Sequence, residues 1–394
     1  MNYSFLGAVA LGFSPLIDRQ RMVTATRLTL MPLRPDAKLA ADEVLAGMAE
    51  IWPASGGRMV LNVLNEALLS ELLQAQPSPN ILIEVPAFMA GDAELAPHLQ
   101  RLKATGVTLL LKGAPAQALA PELEACFKFN VLDEGEASLT VPAGTPRLAR
   151  LISGLRTSEA IDAAFKRGAE GVLGWPMQGA YEQAPGSPKS EIQADLQVIV
   201  ELMSRVDQDE DIERLEQTLK RDPSLAFKLL RYLNSAAFGL PVEVSSFRHA
   251  IMLLGYPRLK RWLALLLTTA SKDHSMRPIM YGALRRGLLM EELAKSMSDN
   301  ELRDEMFICG LFSLLDHMLK QPFSKLLQSI PMPERVRQAL VDGNGPYQPY
   351  LELVHAIENE SVYDFRSAAE QLMLGAEEIN QCVLRALAKA AQLE

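Results

Sequence analysis

The chain has 394 residues, enough for two domains with separate cores, since single cores rarely outgrow about 250–300 residues. Hydrophobic residues make up 48% and charged residues 22%, a balance that excludes a disordered chain. A formal charge of −9 argues against gripping nucleic-acid backbone as the main activity, without excluding a local basic patch, so nucleic acid is not an expected partner.

Three cysteines, Cys126, Cys309 and Cys382, lie far apart among apolar neighbours. No CxxC occurs, which argues against structural zinc and against a disulfide framework and fits reduced thiols in a cytoplasmic protein. The opening run MNYSFLGAVALGFSPLIDRQ has no basic residues ahead of its apolar stretch, and its alternation fits a strand. The longest strongly apolar block, WLALLLTTA at 262–270, falls well short of the roughly 20 residues needed to span a bilayer. A cytoplasmic protein without a membrane partner is expected.

In chain order, residues 1–180 alternate short apolar runs with amphipathic stretches. The runs are AVALGFSPLID, ATRLTLMPL, RMVLNVL, NILIEVP, GVTLLLKG, CFKFNVLD, RLARLISGL and EGVLGW, with helical patterns over 42–51, 65–75, 92–104 and 158–167. This is the β-α rhythm of a parallel sheet or barrel, whose strands read as continuous apolar runs because both faces are buried. The stretch EQAPGSPKS at 182–190 reads as a linker. From Glu191 the pattern turns helical, with Ile192, Leu196, Ile199 and Leu202 forming one stripe. Asp222-Pro223 supplies a helix start, followed by Leu225, Leu229, Leu230 and Leu233. NSAAFGLP breaks that helix, and SSFRHAIMLLGY and PRLKRWLALLLTTA open the next two. Helical patterns continue over 277–298, 303–320, 333–341, 349–358, 364–373 and 376–392. The expected organisation is a multidomain chain: an α/β domain over 1–184, a linker over 185–192 and an all-α domain over 193–394.

The segment 221–267 carries Asp222-Pro223, the leucine ladder, Leu233-Asn234-Ser235, Phe238-Gly239, Ser245-Ser246, Ala250-Ile251 and Leu254-Gly255. With these residues the chain resembles the HDOD domain, an all-helical relative of the HD phosphohydrolases, over roughly 195–390. Most of them read as architecture: Asn234 and Ser235 satisfy backbone groups, Gly239 turns, and Gly255 ends a helix before Pro257.

The first half resembles the EAL domain, the TIM-like barrel of cyclic-di-GMP phosphodiesterases, in the order of its segments. FSPLIDRQRMVTATRLTL stands where that family carries Gln-Pro-Ile and then Glu-Ala-Leu, and MVLNVL and ILIEVP match the strands bearing its metal-binding asparagine and glutamate, here Asn62 and Glu84. Two-metal phosphodiester hydrolysis needs a cluster of carboxylates. By the resemblance, the signature glutamate falls at Thr26 or Arg27, a later glutamate at Ala87 and the adjacent aspartates at Lys112 and Gly113. A further aspartate falls at Asn130 and the last Ala-Glu-Gly at Ile152-Ser153-Gly154. Asn62, Glu84 and Lys128 remain as ligand-binding remnants, and no divalent cluster can be assembled from them. The barrel is degenerate, and about 180 residues against the roughly 250 of a full barrel leave its completeness open.

HD hydrolases hold metals with a distant His, a His-Asp pair and a later Asp. By the resemblance, GLFSLLDHML at 310–319 puts Ser313-Leu314 at the His-Asp pair, and Tyr281 stands where the earlier histidine would. Asp316 and His317 come one helical turn late, and neighbours on a helix point about 100° apart. Proteins joining an EAL-like domain to HDOD carry Phe-Ser-Leu-Leu-Asp here, as at 312–316, so Asp316 reads as a structural or interaction residue that caps or pairs with Arg285 or Arg286. The five histidines, His98, His249, His274, His317 and His355, show neither HxH nor HxxxH spacing. No GxGxxG, Walker or nucleophile-elbow pattern occurs, and SGGR at 55–58 reads as a loop.

Arg258, Lys260 and Arg261 crowd the start of an apolar helix, where positive charge opposes the macrodipole. They read as a solvated face or as ion pairs with nearby acids, the alternative being a site for an anion or acidic partner. The apolar C-terminal helix with Leu384 and Leu387 is expected to pack on its own helical bundle. The resemblances imply a non-enzymatic bacterial signalling or scaffold protein, without cofactor, acting through protein partners in cyclic-di-GMP-linked regulation of motility or biofilm. A catalytically inactive cyclic-di-GMP sensor is the alternative, and a residual metal-dependent phosphohydrolase comes third.

Overall fold

The computed structural model describes residues 3–37, 39–52, 57–137, 148–177, 179, 181, 194–220, 247–269, 273–296, 299–326, 330 and 332–393. The chain forms two compact units. One comprises Met1–Gln178 with Glu352–Ala388, and the other Gly179–Leu351 with Lys389–Glu394.

The first unit is built on eight strands, β1 Val9–Asp18, β2 Val23–Pro32, β3 Arg58–Val63, β4 Ile81–Pro86, β5 Leu109–Lys112, β6 Phe127–Asp133, β7 Ala149–Ser153 and β8 Gly171–Leu173. They close into a barrel in chain order. β1 and β2 form an antiparallel hairpin, β2 through β8 run parallel, and β8 returns antiparallel to β1 with Leu16 opposite Leu173. The barrel is therefore complete, although its length left this open. Economy explains it: a tight hairpin replaces the first crossover helix, and single turns at Ala87–Ala90, Pro121–Glu124 and Glu134–Ala137 stand beside the longer helices.

Those longer helices are α1 Ala41–Ile51, α2 Glu66–Gln74, α3 Ala96–Ala104 and α4 Ser158–Lys166, close to the expected spans. Asn65 caps α2 by accepting from Leu68 N, and Thr157 caps α4 by accepting from Ala160 N. Inside the barrel one residue from each strand forms an apolar layer: Leu16, Ala25, Val60, Leu82, Leu110, Val131, Leu151 and Leu173. Outside, Ile17, Leu132, Ile152 and Val172 pack on Ile161 and Ala164 of α4. Side chains alternate along a strand, so residues two positions beyond the apolar layer face the same interior at the C-terminal ends of the parallel strands. That layer includes Arg27, Asn62, Glu84 and Lys112.

The second unit is helical: α5 Ala194–Asp207, α6 Ile212–Lys220, α7 Phe247–Thr269, α8 Arg277–Leu293, α9 Asn300–Phe312 and α10 Leu315–Leu319 among the described residues. α7 is interrupted at Gly255, whose φ of 69° lies outside helical space, two residues before Pro257. The helix end expected at that glycine is thus present. α8 and α9 cross closely at Gly287 and Gly310. A Cβ on Gly310 would lie 2.5 Å from the Arg286 carbonyl oxygen. The helix start at Asp222-Pro223, the turn residues Asn234, Ser235 and Gly239, and the linker 185–192 lie outside the described residues.

After short helical segments at Phe323–Leu326, Glu334–Arg337 and Gln338–Asp342 come three longer helices, α11 Gln348–Glu358, α12 Val362–Leu372 and α13 Ala376–Leu393. Their 352–388 portion is compact with the barrel, which differs from the division that placed all of 193–394 in one all-α domain, and from the expectation that the C-terminal helix packs on the helical bundle. The reason lies in β1. β8 pairs only with Leu16–Asp18, leaving the earlier half of β1 without a strand on that side. Side chains complete it. Trp175 donates its indole N–H to Phe13 O at 3.1 Å, and the fully buried Asn380 accepts from Leu11 N while donating to Leu6 O and Val9 O.

The three cysteines are buried and carry no disulfide. Among the described residues no helix is long and apolar enough to cross a membrane.

Candidate functional site

The C-terminal ends of barrel strands are where such folds carry chemistry, because the loops that follow them converge there. At this end four strands present a closed polar network. Arg27, in the middle of β2, sends its guanidinium across to Glu84 on β4 in a bidentate pair, Nε to Oε1 at 2.7 Å and Nη2 to Oε2 at 2.8 Å. The Glu84 side chain has no exposed surface and that of Arg27 has 10%. The remaining guanidinium nitrogen, Nη1, lies 3.3 Å from both carboxylate oxygens of Glu360. Thr29 donates its hydroxyl to the same carboxylate at 2.8 Å and accepts from Asn62 Nδ2 at 3.1 Å. Lys112, the last residue of β5, donates to Asn62 Oδ1 at 2.8 Å.

Two positive and two negative side chains thus meet in one buried chain of bonds. Burial works against the Arg27 charge, but Glu84 and Glu360 outweigh it and hold the guanidinium above its ordinary value. Burial lowers the Lys112 ammonium, and the nearby carboxylates only partly restore it.

Divalent ions, which the EAL resemblance implies, do not fit this arrangement. Arg27 and Lys112 place fixed positive charge at the layer where metals would sit, and both Glu84 oxygens are already taken by Arg27. Asp133, the β6 residue at the rim, accepts from Glu136 N at 2.6 Å as a cap. Among the described residues no group of three or more His, Cys, Asp or Glu side chains is placed to hold a metal.

Of the residues expected here from sequence, Asn62 and Glu84 come together and Lys128 does not. A register shift at the start of β6 turns Lys128 to the exposed side, with its ammonium 5.4 Å from the centre of the Phe129 ring. The choice between Thr26 and Arg27 is resolved by alternation: Ala25 belongs to the interior layer, so Arg27 and Thr29 face inward as well. Glu360, more than 300 residues away, carried no sequence signal at all.

In the helical unit, Asp316 is buried and accepts from Tyr181 N at 2.7 Å and from His317 N at 2.8 Å. The His317 ring meets Gly179 O at 2.9 Å and stands edge-on to Tyr181. The pair therefore fastens the backbone groups of Gly179 and Tyr181, where the expected pairing was with Arg285 or Arg286. Arg286 instead donates to Ser313 Oγ at 3.0 Å, where the resemblance would place the His-Asp pair, and Arg285 stacks on the Tyr281 ring at 3.2 Å. Burial raises the Asp316 carboxyl above its ordinary range, although the Tyr181 and His317 N–H groups pull the other way.

The basic cluster at 258–261 divides. Lys260 bonds Asp207 at 2.7 Å. Arg261 takes Glu291 with two bonds of 2.8 Å, reaches Asp304 at 3.1 Å and lies over the Phe307 ring. Arg258 is exposed.

Comparison with known proteins finds the HDOD domain family at residues 194–326. Uncharacterized protein YuxH of Bacillus subtilis (strain 168) is 34% identical over 191 residues, 48% of this chain and 46% of that protein. Cyclic di-GMP phosphodiesterase CdgJ of Vibrio cholerae is 26% identical over 190 residues, 48% of this chain and 44% of that protein. The aligned stretches take in less than half the length of either curated relative. Among solved structures, the EAL-like domain protein YdiV is 13% identical, covering 43% of this chain and 92% of that one, with a TM-score of 0.32. The chain thus joins an eight-stranded barrel to a region, residues 194–326, that matches the HDOD domain family.

Proposed function

We propose that this chain is a non-catalytic signalling protein of cyclic-di-GMP-linked regulation that works through protein contacts. The relatives and the EAL-like plus HDOD architecture supply the link to that signalling. The observation that carries the non-catalytic reading is the Arg27 guanidinium bonded between Glu84 and Glu360, an internal cation where a hydrolase needs a metal. Asn62 and Glu84 then serve as parts of a structural ion network. Arg258, exposed beside residues already committed to their own acids, is the cation of its cluster left to meet an acidic partner.

The test incubates purified protein with cyclic-di-GMP and excess Mg or Mn and measures linear dinucleotide, with metal content determined by elemental analysis. The expected result is no product and no stoichiometric metal. Turnover that disappears in Glu84→Gln would overturn the proposal.

A further inference from the structure

The side chain at the centre of the mouth comes from outside the barrel strands. Glu360 sits in the short connection between α11 and α12, with φ at 55°, a left-handed conformation that a glutamate adopts only at a cost. Its side chain is 23% exposed, and its carboxylate is received by Arg27 Nη1 and the Thr29 hydroxyl.

The receiving groups do not depend on Glu360 for their placement. Glu84 pins the other two nitrogens of Arg27, and Asn62, itself held by Lys112, pins Thr29. Without Glu360 the mouth would retain two cations, Arg27 and Lys112, against the single carboxylate of Glu84. It would also keep a guanidinium edge and a hydroxyl already aimed at one point. Lys112 has N–H groups beyond the one given to Asn62 and lies within electrostatic range of Glu360.

We propose that the barrel mouth is a binding site for a small phosphoryl oxyanion, kept closed in cis by the Glu360 carboxylate. The carboxylate and a phosphoryl group offer the same feature to these donors, a pair of negative oxygens for one guanidinium edge and one hydroxyl. A phosphoryl ligand displaces Glu360 and frees the connection between α11 and α12 from its strained conformation. Tethering makes Glu360 a strong competitor through its effective concentration, so the intact chain binds weakly. The inference rests on the metal-free reading of the mouth.

Glu360→Gly opens the site while suiting the left-handed backbone, since glycine takes that conformation freely. Inorganic phosphate, diphosphate and acetate are titrated into wild type and variant by calorimetry, with circular dichroism as the fold control. Saturable phosphate or diphosphate binding is expected in the variant, tighter than in wild type by on the order of a hundredfold. Acetate should bind more weakly, and adding Thr29→Val should weaken phosphate binding again. Should Glu360→Gly not fold, phosphate is expected to raise the melting temperature of Glu360→Gln and leave that of wild type unmoved. Variants that fold and show no response to phosphate, or wild type binding as tightly as the variant, overturn the site. So does acetate binding as tightly as phosphate, or an effect of phosphate untouched by Thr29→Val. Stoichiometric metal in wild type would instead sink the metal-free reading beneath it.

Discussion

Glu84 has no exposed side-chain surface, and its charge is tolerable there because the Arg27 fork takes both of its oxygens. Removing one partner of such a pair costs far more than removing both, since it leaves an uncompensated buried charge. Arg27→Ala is expected to destabilise the barrel unit by about 3–5 kcal/mol, and Arg27→Met with Glu84→Leu by much less. Urea denaturation measures both, and a single variant costing no more than the double would refute the pairing. Asp316 behaves in the opposite electrostatic sense. Its carboxyl is held above the ordinary 3.8, so the folded chain keeps a proton that the unfolded chain has already lost. Stability at this position therefore falls as pH rises from the unfolded value through the raised folded one. Asp316→Asn cannot titrate and carries a pH-independent loss of one acceptor. Wild type should lose stability relative to it as pH rises above the ordinary carboxylate value of 3.8. A difference that is flat, or that grows the other way, counts against a raised carboxyl.

At the scale of elements, the close crossing of α8 and α9 depends on Gly310. Alanine in a helix is intrinsically favoured over glycine by about 1 kcal/mol. Here its Cβ would stand 2.5 Å from the Arg286 carbonyl oxygen and 2.8 Å from Gly287 N, and backbone atoms cannot swing aside. The clash should win, with Gly310→Ala destabilising the helical unit by about 1–3 kcal/mol through forced separation of the helices. A thermal melt at or above that of wild type would show that the helices can part freely. The elements themselves were largely legible: all eight strand runs, helices α1 to α4 and the break at Gly255 follow from apolar runs, 3–4 spacing and Gly–Pro punctuation. Lys128 was not, because a register shift at the head of β6 is a property of pairing and leaves no mark on the strand's own sequence. Arg27 was half legible. Counting by twos from Ala25 puts it inside, but segment order alone left it exchangeable with Thr26.

For the whole molecule, what sequence could not supply was the destination of the last helices. Their amphipathic spacing is plain at 349–358, 364–373 and 376–392, yet the same stripe serves any apolar surface, and nothing local says which core it joins. The structure gives 352–388 to the barrel unit, where Leu353, Ile357, Phe365, Ile379, Leu384 and Leu387 are buried. Asn380 completes the half of β1 that β8 does not reach. A fragment ending at residue 184 would expose those apolar contacts and leave Leu11 N and Val9 O without Asn380, on the strand that closes the barrel. Such a fragment is expected to melt without a cooperative transition and to bind a hydrophobic dye. Joining 1–178 to 352–388 through a flexible Gly-Ser linker should restore a single sharp transition. Were the 1–184 fragment to unfold cooperatively with no dye binding, the barrel would be independent of the C-terminal helices. Glu360 would then be a visitor to the mouth rather than a residue carried there by the same packing that completes β1.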